Sequence, residues 1–257
     1  MTKKGLIQKV IHYTGMDDCN PNWTSATQVA LGADTDNSEK HKDCYQWSYA
    51  TAVGMLQYLA MNTRPDISFA VSQVSRFTHA PKKSHGIAVK TIVRYLKRTE
   101  DKGTYLDQDI YHAADCLKLE CFVDADFAGL FGYEDNQDPV SVKSRTGFVL
   151  TLFGFPIICQ SKLQKEVTLS STAAEYVAFS MAMRELLPMR RLLQEIGTKL
   201  DLEALKTSVI KSTVFEDNQG VISIVNVPKM SSRNKYLQLK YHFFREEIGE
   251  SKGIVVE

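Results

Sequence analysis

Three acidic residues occupy positions at which carboxylates can do metal chemistry. Asp124 ends one apolar segment, Asp217 ends another, and Glu175 lies at the start of a long amphipathic segment. If these side chains meet, their charges repel one another unless cations bind between them. Mg²⁺ prefers oxygen ligands, and two such ions about 4 Å apart activate water at a phosphodiester. The three acids are therefore candidate catalytic and metal-binding residues.

Each acid also has a local structural role as an alternative. Asp124 and the nearby Asp126 are acids of the kind found in turns after strands. Thr172 and Glu175 have the spacing of a helix capping box. Asp217 has the position of an N-cap on a short helix. Residue type and spacing alone leave both interpretations open.

The segments that must bring the acids together have a mixed α/β pattern. Alternating apolar residues predict strands at 117–123, 147–153, 156–161 and 209–215, with a last strand starting at 253. Longer periodic segments predict helices at 171–196, 218–225 and 237–248. Two strand ends and one helix start can converge on the same edge of a sheet, which would gather the three carboxylates.

The residues before this α/β part divide into two regions. Residues 15–44 are rich in Asp, Asn, Thr and Gly, so we predict a loop-rich arm over 1–44. Apolar residues recur with a helical period at 45–61, 63–77 and after Pro81, which predicts a helical segment over 45–112. The α/β domain is predicted to occupy 117–257.

Composition limits the class of protein. The 257 residues carry a net charge of +1, and 44% are hydrophobic, which excludes general disorder. No signal peptide and no apolar run of about 18 residues is visible, so we expect a soluble, intracellular protein of the cytoplasm or nucleus that has no membrane partner. The five cysteines lack CxxC spacing and are odd in number, which argues against a disulfide framework or a zinc site.

Basic residues concentrate between positions 76 and 102. Four of them fall near one face of a predicted helix: Lys90, Arg94, Lys97 and Arg98. Such a face can bind a phosphate backbone through counterion release, without sequence preference. The alternative is an ordinary solvated helix face.

Several motifs together resemble one family. The α/β part contains Phe-Val-Asp-Ala-Asp-Phe-Ala-Gly (122–129), Ser-Arg-Thr-Gly-Phe-Val (144–149), Leu-Ser-Ser-Thr-Ala-Ala-Glu-Tyr-Val-Ala (169–178) and Glu-Asp-Asn-Gln-Gly (216–220). In order and spacing they resemble the ribonuclease H domain of copia-type retrotransposon reverse transcriptases. Segments 54–59, 63–77 and 94–99 resemble the part of that family that connects the polymerase to the ribonuclease H domain.

The resemblance implies a ribonuclease H-like fold, namely a mixed five-stranded sheet flanked by helices and preceded by a small, mainly helical segment. It implies cleavage of the RNA strand of RNA–DNA hybrids with Mg²⁺, for which Mn²⁺ can substitute. Asp124, Glu175 and Asp217 take the catalytic and metal-binding roles, and Asp124 is preferred over Asp126. The implied partners are an RNA–DNA hybrid and the polymerase portion of a parent polyprotein.

The sequence also departs from the family pattern. Tyr236 and Gln238 stand where the family often has His and Asp, and Cys159 stands where Trp is common. The sequence ends at Glu257, before the segment that usually carries a final carboxylate, so we expect a C-terminally truncated domain. These departures leave a second hypothesis open, a non-catalytic nucleic-acid-binding or decayed remnant on the same scaffold.

Overall fold

A computed structural model gives the fold. It describes residues 1–27, 31–32, 39–106, 117–134, 138–201, 210–226, 243–249 and 252–257. The chain forms two compact units. The first, here called the helical unit, consists of residues 1–105 and 130–142, and the second, the sheet unit, consists of 106–129 and 143–257.

The sheet unit is built on five strands. They are β1 (Leu117–Asp126), β2 (Arg145–Leu152), β3 (Phe155–Leu163), β4 (Ile210–Phe215) and β5 (Ile254–Val256). Their order across the sheet is β3-β2-β1-β4-β5. β1, β2 and β3 pair antiparallel, whereas β4 is parallel to both β1 and β5. This mixed order confirms the ribonuclease H-like fold.

One face of this sheet packs against a long helix. Alternate residues of β1 are buried, among them Leu119 and Cys121. Helix α6 (Ser171–Lys199) contacts β1 and β2, and it buries Tyr176 and Phe179 completely. A shorter helix, α7 (Gln219–Asn226), follows β4. The hydrophobic core of the unit therefore lies between the sheet and α6.

The hairpin between β2 and β3 is closed by two residues. Phe153 has φ 53° and Gly154 has φ 76°. Positive φ at both central positions is the geometry of a type I′ turn, whose twist matches that of the flanking strands. The turn fixes the register in which Leu152 pairs with Phe155.

The helical unit contains five α-helices among the described residues. They are α1 (Lys4–Tyr13), α2 (His41–Cys44), α3 (Tyr49–Asn62), α4 (Ser68–Ser75) and α5 (Lys83–Arg98), with a 3-10 turn at Pro65–Ile67. Their apolar faces form a second hydrophobic core, separate from that of the sheet unit.

Helix α1 departs from the loop-rich arm that we predicted for 1–44. Ile7, Val10 and Ile11 are spaced as one helical stripe, and they are buried against α3 and α5. This tertiary packing supports a helix that starts without a side-chain cap.

Residues 130–142 belong to the helical unit, although they lie between two strands of the sheet unit in the sequence. Within that unit, the Arg76 guanidinium donates to both oxygens of Glu134, at 2.8 and 2.7 Å. Both side chains are largely buried, at 14% and 2% exposure. This bidentate pair attaches the inserted segment to Arg76, the C-cap residue of α4.

The helix predicted at 237–248 needs a correction. Residues 227–242 lie outside the described part of the chain, and with them Tyr236 and Gln238. The described residues 243–249 contain only a 3-10 turn at Arg245–Glu247. Phe244 is fully buried there, and its ring centroid lies 5.1 Å from that of Phe179.

Candidate metal centre

The three predicted acids come together in the sheet unit. Asp124, Glu175 and Asp217 each offer a carboxylate oxygen, and these oxygens all lie within 4.8 Å of one another. Asp124 and Asp217 are exposed, whereas Glu175 is buried. The cluster is therefore buried at Glu175 and exposed at the two aspartates, so an ion can reach it from solvent.

Strand register explains why Asp124 and Asp217 meet. β1 and β4 are parallel, and the last paired residues are Phe122 and Phe215. Asp124 and Asp217 each follow their partner phenylalanine by two positions, so both stand at the same level beyond the paired part of the strands. Parallel strands end at the same edge of a sheet, and there the backbone positions the two carboxylates.

Glu175 reaches this edge from the second turn of α6. The N-cap of α6 is Ser170, whose hydroxyl accepts a hydrogen bond from the Ala173 N–H at 3.1 Å. Thr172 is therefore inside the helix, and the capping box suggested for Thr172 and Glu175 is wrong. The Glu175 carboxylate accepts a hydrogen bond from the backbone of Ala125 in β1.

Asn218, and not Asp217, makes the cap contacts of α7. Its Oδ1 atom accepts hydrogen bonds from the N–H groups of Gly220 and Val221, at 3.0 and 3.2 Å. The N-cap role considered for Asp217 therefore falls to its neighbour, which leaves the Asp217 carboxylate for the cluster.

Asp126 is outside the cluster of three. Its carboxylate packs over Gly129, where an added Cβ would lie 1.9 Å from Asp126 Oδ2. A larger residue at position 129 would therefore require the Asp126 carboxylate to move. The geometry thus places Asp124 in the cluster and Asp126 outside it, although the two acids are only two positions apart in the motif.

Burial and like charges shape the electrostatics of the site. Glu175 is 7% exposed, and its Oε2 atom has no hydrogen-bond partner. Burial, together with the smaller effect of the nearby charges of Asp124 and Asp217, raises the pKa of Glu175 to about 7, against the opposing hydrogen bond from Ala125. A cation would stabilise the ionised form of this carboxylate.

Glu216 is a buried acid beside the cluster that sequence reasoning missed. It is 5% exposed, its Oε1 accepts from the Asn218 N–H at 3.2 Å, and its Oε2 has no partner. Burial raises the pKa of Glu216 to about 8, with smaller contributions from Glu175, Asp217 and Asp124. Alternation along β4 was the available signal, because neighbours in a strand point to opposite faces.

An aromatic pair lies two residues before the acids on the same strands. Phe122 and Phe215 stack with ring centroids 4.8 Å apart and an interplanar angle of 13°. Phe122 is 47% exposed, because even-numbered residues of β1 face away from α6. The carboxylates are therefore bordered by apolar surface along β1 and β4.

The four predicted nucleic-acid-binding residues all lie on α5 and make contacts within the helical unit. Arg94 Nε donates to the Asn20 carbonyl at 2.6 Å, and Lys97 Nζ donates to the carbonyls of Asp17 and Cys19. The Arg98 guanidinium lies 3.0 Å from the centre of the Trp23 ring, and Lys90 Nζ lies 4.6 Å from the centre of the Tyr45 ring. Phosphate binding by these residues stays a prediction.

Among the described residues, no helix combines the length and the apolar character that crossing a membrane requires.

Known proteins resemble this chain over most of its length. It is 38% identical over 202 residues to the retrovirus-related Pol polyprotein from transposon TNT 1-94 of Nicotiana tabacum, covering 79% of this chain and 14% of that protein. It is 36% identical over 200 residues to the corresponding polyprotein from transposon RE2 of Arabidopsis thaliana, covering 78% of this chain and 12% of that one. The chain thus spans less than a sixth of these relatives.

A shorter relative is matched almost throughout. The secreted RxLR effector protein 161 of Plasmopara viticola is 37% identical over 137 residues, which are 53% of this chain and 87% of that protein. No family model matches. Among solved structures, LC11-RNase H1 isolated from compost is similar at 18% identity and a TM-score of 0.34, over 55% of this chain and 82% of that chain.

Proposed function

Because the chain belongs to the copia-type, retrovirus-related Pol polyproteins, we propose that its carboxylate cluster hydrolyses the RNA strand of RNA–DNA hybrids. One observation carries this proposal. Glu175 is buried with an unpartnered oxygen, and a carboxylate oxygen of this residue lies within 4.8 Å of those of Asp124 and Asp217. A purely structural buried acid would be expected to have a donor for each of its two oxygens.

The cluster fits divalent cations of the Mg²⁺ or Mn²⁺ type. Its three side chains offer only carboxylate oxygens, which are the ligands these hard ions prefer. Asp124, Glu175 and Asp217 would hold the metal, and when bound it supplies an activated water and neutralises charge on the leaving oxygen. The buried side of the cluster gives Glu175 a fixed position, while the exposed side leaves Asp124 and Asp217 open to a phosphate.

The helical unit is proposed to act as the segment that connects such a site to the polymerase portion of a parent polyprotein. Its basic helix α5 is proposed to contact the backbone of the hybrid. A-form-like duplexes are recognised through shape, phosphates and 2′-OH groups, so we expect no sequence preference.

We place this activity inside the cell. The cysteines Cys19, Cys44, Cys121 and Cys159 are all free thiols. Free thiols are typical of reducing compartments, whereas disulfides persist in secreted proteins.

Cleavage of a labelled RNA–DNA hybrid tests the proposal. The unmodified chain in Mg²⁺ or Mn²⁺ is expected to cut the RNA strand and leave the DNA strand intact. Asp124→Asn should lower the rate by about 10²-fold or more, as losses of metal-site groups do. Asp126→Asn is the matched control, because that acid stands two residues away and outside the cluster; its rate should change little.

Two results would argue against the proposal. Cleavage that survives Asp124→Asn would assign the activity to other residues. Salt-sensitive binding of the hybrid with no cleavage in either metal would instead favour the non-catalytic remnant on the same scaffold.

A further inference from the structure

A buried glutamine directly after β3 contacts the helix that carries Glu175. Gln164 is 2% exposed. Its Nε2 atom donates to the Ala174 carbonyl of α6 at 2.8 Å and to Thr146 Oγ1 of β2 at 3.2 Å. Its backbone N–H donates to the Ser144 carbonyl at 2.8 Å. Gln164 therefore links the start of β2 to the residue that precedes Glu175 in the sequence.

The partners of Gln164 fix the orientation of its amide group. The Ala174 carbonyl can only accept a hydrogen bond, so the NH₂ group of Gln164, and not its Oε1 atom, faces α6. Oε1 is buried and has no partner among the described residues. An unpaired buried acceptor costs stability, so the general stability of the fold does not account for a glutamine at this position. Its side chain acts as a donor directed at one backbone atom of α6.

Ser144 and Thr146 extend this contact into a buried polar network. Both residues are fully buried. The Thr146 hydroxyl donates to Met181 Sδ of α6 at 3.5 Å, and the Ser144 hydroxyl accepts from the Ala128 N–H at 3.3 Å. Ala128 lies in the turn after β1, and its φ of 49° is uncommon for a residue other than glycine. The network therefore connects the start of β2 with α6 and with the turn after β1.

The carboxylates of the cluster belong to different elements, so their relative placement depends on how those elements pack. Glu175 is on α6, whereas Asp124 is on β1. The core between α6 and the sheet is apolar, with Phe179 and Leu119 among its members, and apolar packing is not directional. A hydrogen bond has a preferred length and angle. Since functional side chains have to be held within about 0.5 Å of the productive geometry, directional contacts are needed near Glu175.

We propose that Gln164 is a positioning residue of the metal site, which holds the Ala174 carbonyl and thereby places the Glu175 carboxylate in the cluster. This inference rests on the proposed metal-binding function of that cluster. Gln164 is not one of the three metal-binding acids, and it acts through Glu175. The hydrogen bond from Ala125 holds the carboxylate of Glu175, while Gln164 holds the adjoining backbone.

Manganese affinity measures this role without the cleavage reaction. Gln164→Met keeps the length of the side chain and removes its donor. Because an apolar group of similar shape replaces a partly unsatisfied amide, the urea midpoint in metal-free buffer should change little. The Kd for Mn²⁺ at pH 8, measured from the electron paramagnetic resonance signal of the free ion, should rise about tenfold or more, as for other groups that orient metal ligands.

Thr151→Val is the matched control. Thr151 is also buried, at 6% exposure, and its hydroxyl also donates to a backbone carbonyl, that of Glu120 at 3.4 Å. Glu120 lies four residues before Asp124 on β1, so this contact is further along the sheet from the cluster. The variant removes one buried side-chain-to-backbone hydrogen bond from the same sheet, and its Kd for Mn²⁺ should equal that of the unmodified chain.

A double-mutant cycle shows whether Gln164 acts through Glu175. In the Glu175→Gln background, Gln164→Met should change the Kd for Mn²⁺ by less than about twofold, because the carboxylate that it positions is absent. An equal rise in both backgrounds would assign the effect to the rest of the site and overturn the proposal.

Two other results would also overturn it. If Gln164→Met and Thr151→Val both bound Mn²⁺ as tightly as the unmodified chain, the metal site would stand and Gln164 would have no part in it. A Kd that rose only in proportion to the unfolded fraction of Gln164→Met would make this residue a structural one. If the unmodified chain bound Mn²⁺ no more tightly than Asp124→Asn does, the metal site itself would be absent, and both this proposal and hybrid cleavage would fail.

Discussion

The helical unit and the sheet unit both bury glutamate side chains, but they differ in the hydrogen-bond partners of the carboxylate oxygens. In the helical unit, both oxygens of Glu134 accept hydrogen bonds from Arg76. In the sheet unit, Glu175 and Glu216 are buried to a similar degree, but each has one oxygen without a partner. The neighbours of Glu175 are themselves acids.

This difference separates two reasons for burying a charge. A closed ion pair such as Arg76–Glu134 orders a segment of chain, and it needs nothing from outside. A group of like charges is stable only when some charges are neutralised, either by protons or by cations. The first arrangement is explained by the fold alone, whereas the second needs bound protons or a bound cation.

Breaking the closed pair should have the largest effect. Arg76→Ala leaves Glu134 buried at 2% side-chain exposure without its counterion. We expect a loss of about 3–5 kcal/mol in the free energy of unfolding, because an uncompensated charge stays in the interior. Urea denaturation at pH 7 measures it.

An exposed ion pair of the same unit provides the control. Lys83 and Glu39 lie 2.7 Å apart with side chains that are 53% and 63% exposed. Lys83→Ala should therefore cost far less unfolding free energy than Arg76→Ala, because solvent screens an exposed pair. Equal losses in the Arg76→Ala and Lys83→Ala variants would show that the Glu134 pair is not a buried one in solution.

The carboxylate cluster should make the stability of the metal-free protein depend on pH in a defined direction. Glu175 has an ordinary pKa of 4.5 and a pKa of about 7 in the folded chain. Since the folded value is the higher one, folding favours the protonated form. This stabilising contribution is complete below pH 4.5, and it is lost as the pH rises to about 7. The metal-free protein should thus become less stable over that interval.

Glu175→Gln isolates this effect. In the presence of a chelator the variant should be more stable than the unmodified chain at pH 8, by up to about 3 kcal/mol, since each pKa unit corresponds to about 1.4 kcal/mol. At pH 4 the two proteins should unfold at the same urea concentration. If the variant were less stable than the unmodified chain at pH 8, the ionised Glu175 carboxylate would have a stabilising partner. That result would contradict a cluster in which its neighbours are only like charges.

Backbone register was the part of the site that the sequence could predict. Asp124 and Asp217 end strands whose apolar alternation was visible, and parallel pairing of those strands aligned them. The cap of α6 was not predictable in the same way, because Ser170, Ser171 and Thr172 are three consecutive residues that can all serve as N-caps. Only the structure shows that Ser170 has this role.

Side-chain partners in irregular segments were beyond the sequence. Helical periodicity placed four basic residues of α5 near one face, but it gave no sign that Arg94 and Lys97 would donate to carbonyls of residues 17–20. Those carbonyls belong to a segment without periodicity, so no pattern fixes their direction. The buried Glu216 was missed because it stands beside the more conspicuous Asp217 in the same motif.

The smallest predicted effect tests which residue caps α7 and which belongs to the cluster. Asn218→Ala removes the acceptor for the Gly220 and Val221 N–H groups, and it should cost about 1 kcal/mol of unfolding free energy in metal-free buffer. Asp217→Ala removes one of the charges that disfavour ionised Glu175, so stability in the same buffer should stay equal or rise slightly. If Asp217→Ala instead lost about as much as Asn218→Ala, Asp217 would contribute to the cap. Its carboxylate would then stabilise the start of α7. In that case only two acids of the cluster would lack the kind of structural role that Glu134 has in its ion pair with Arg76.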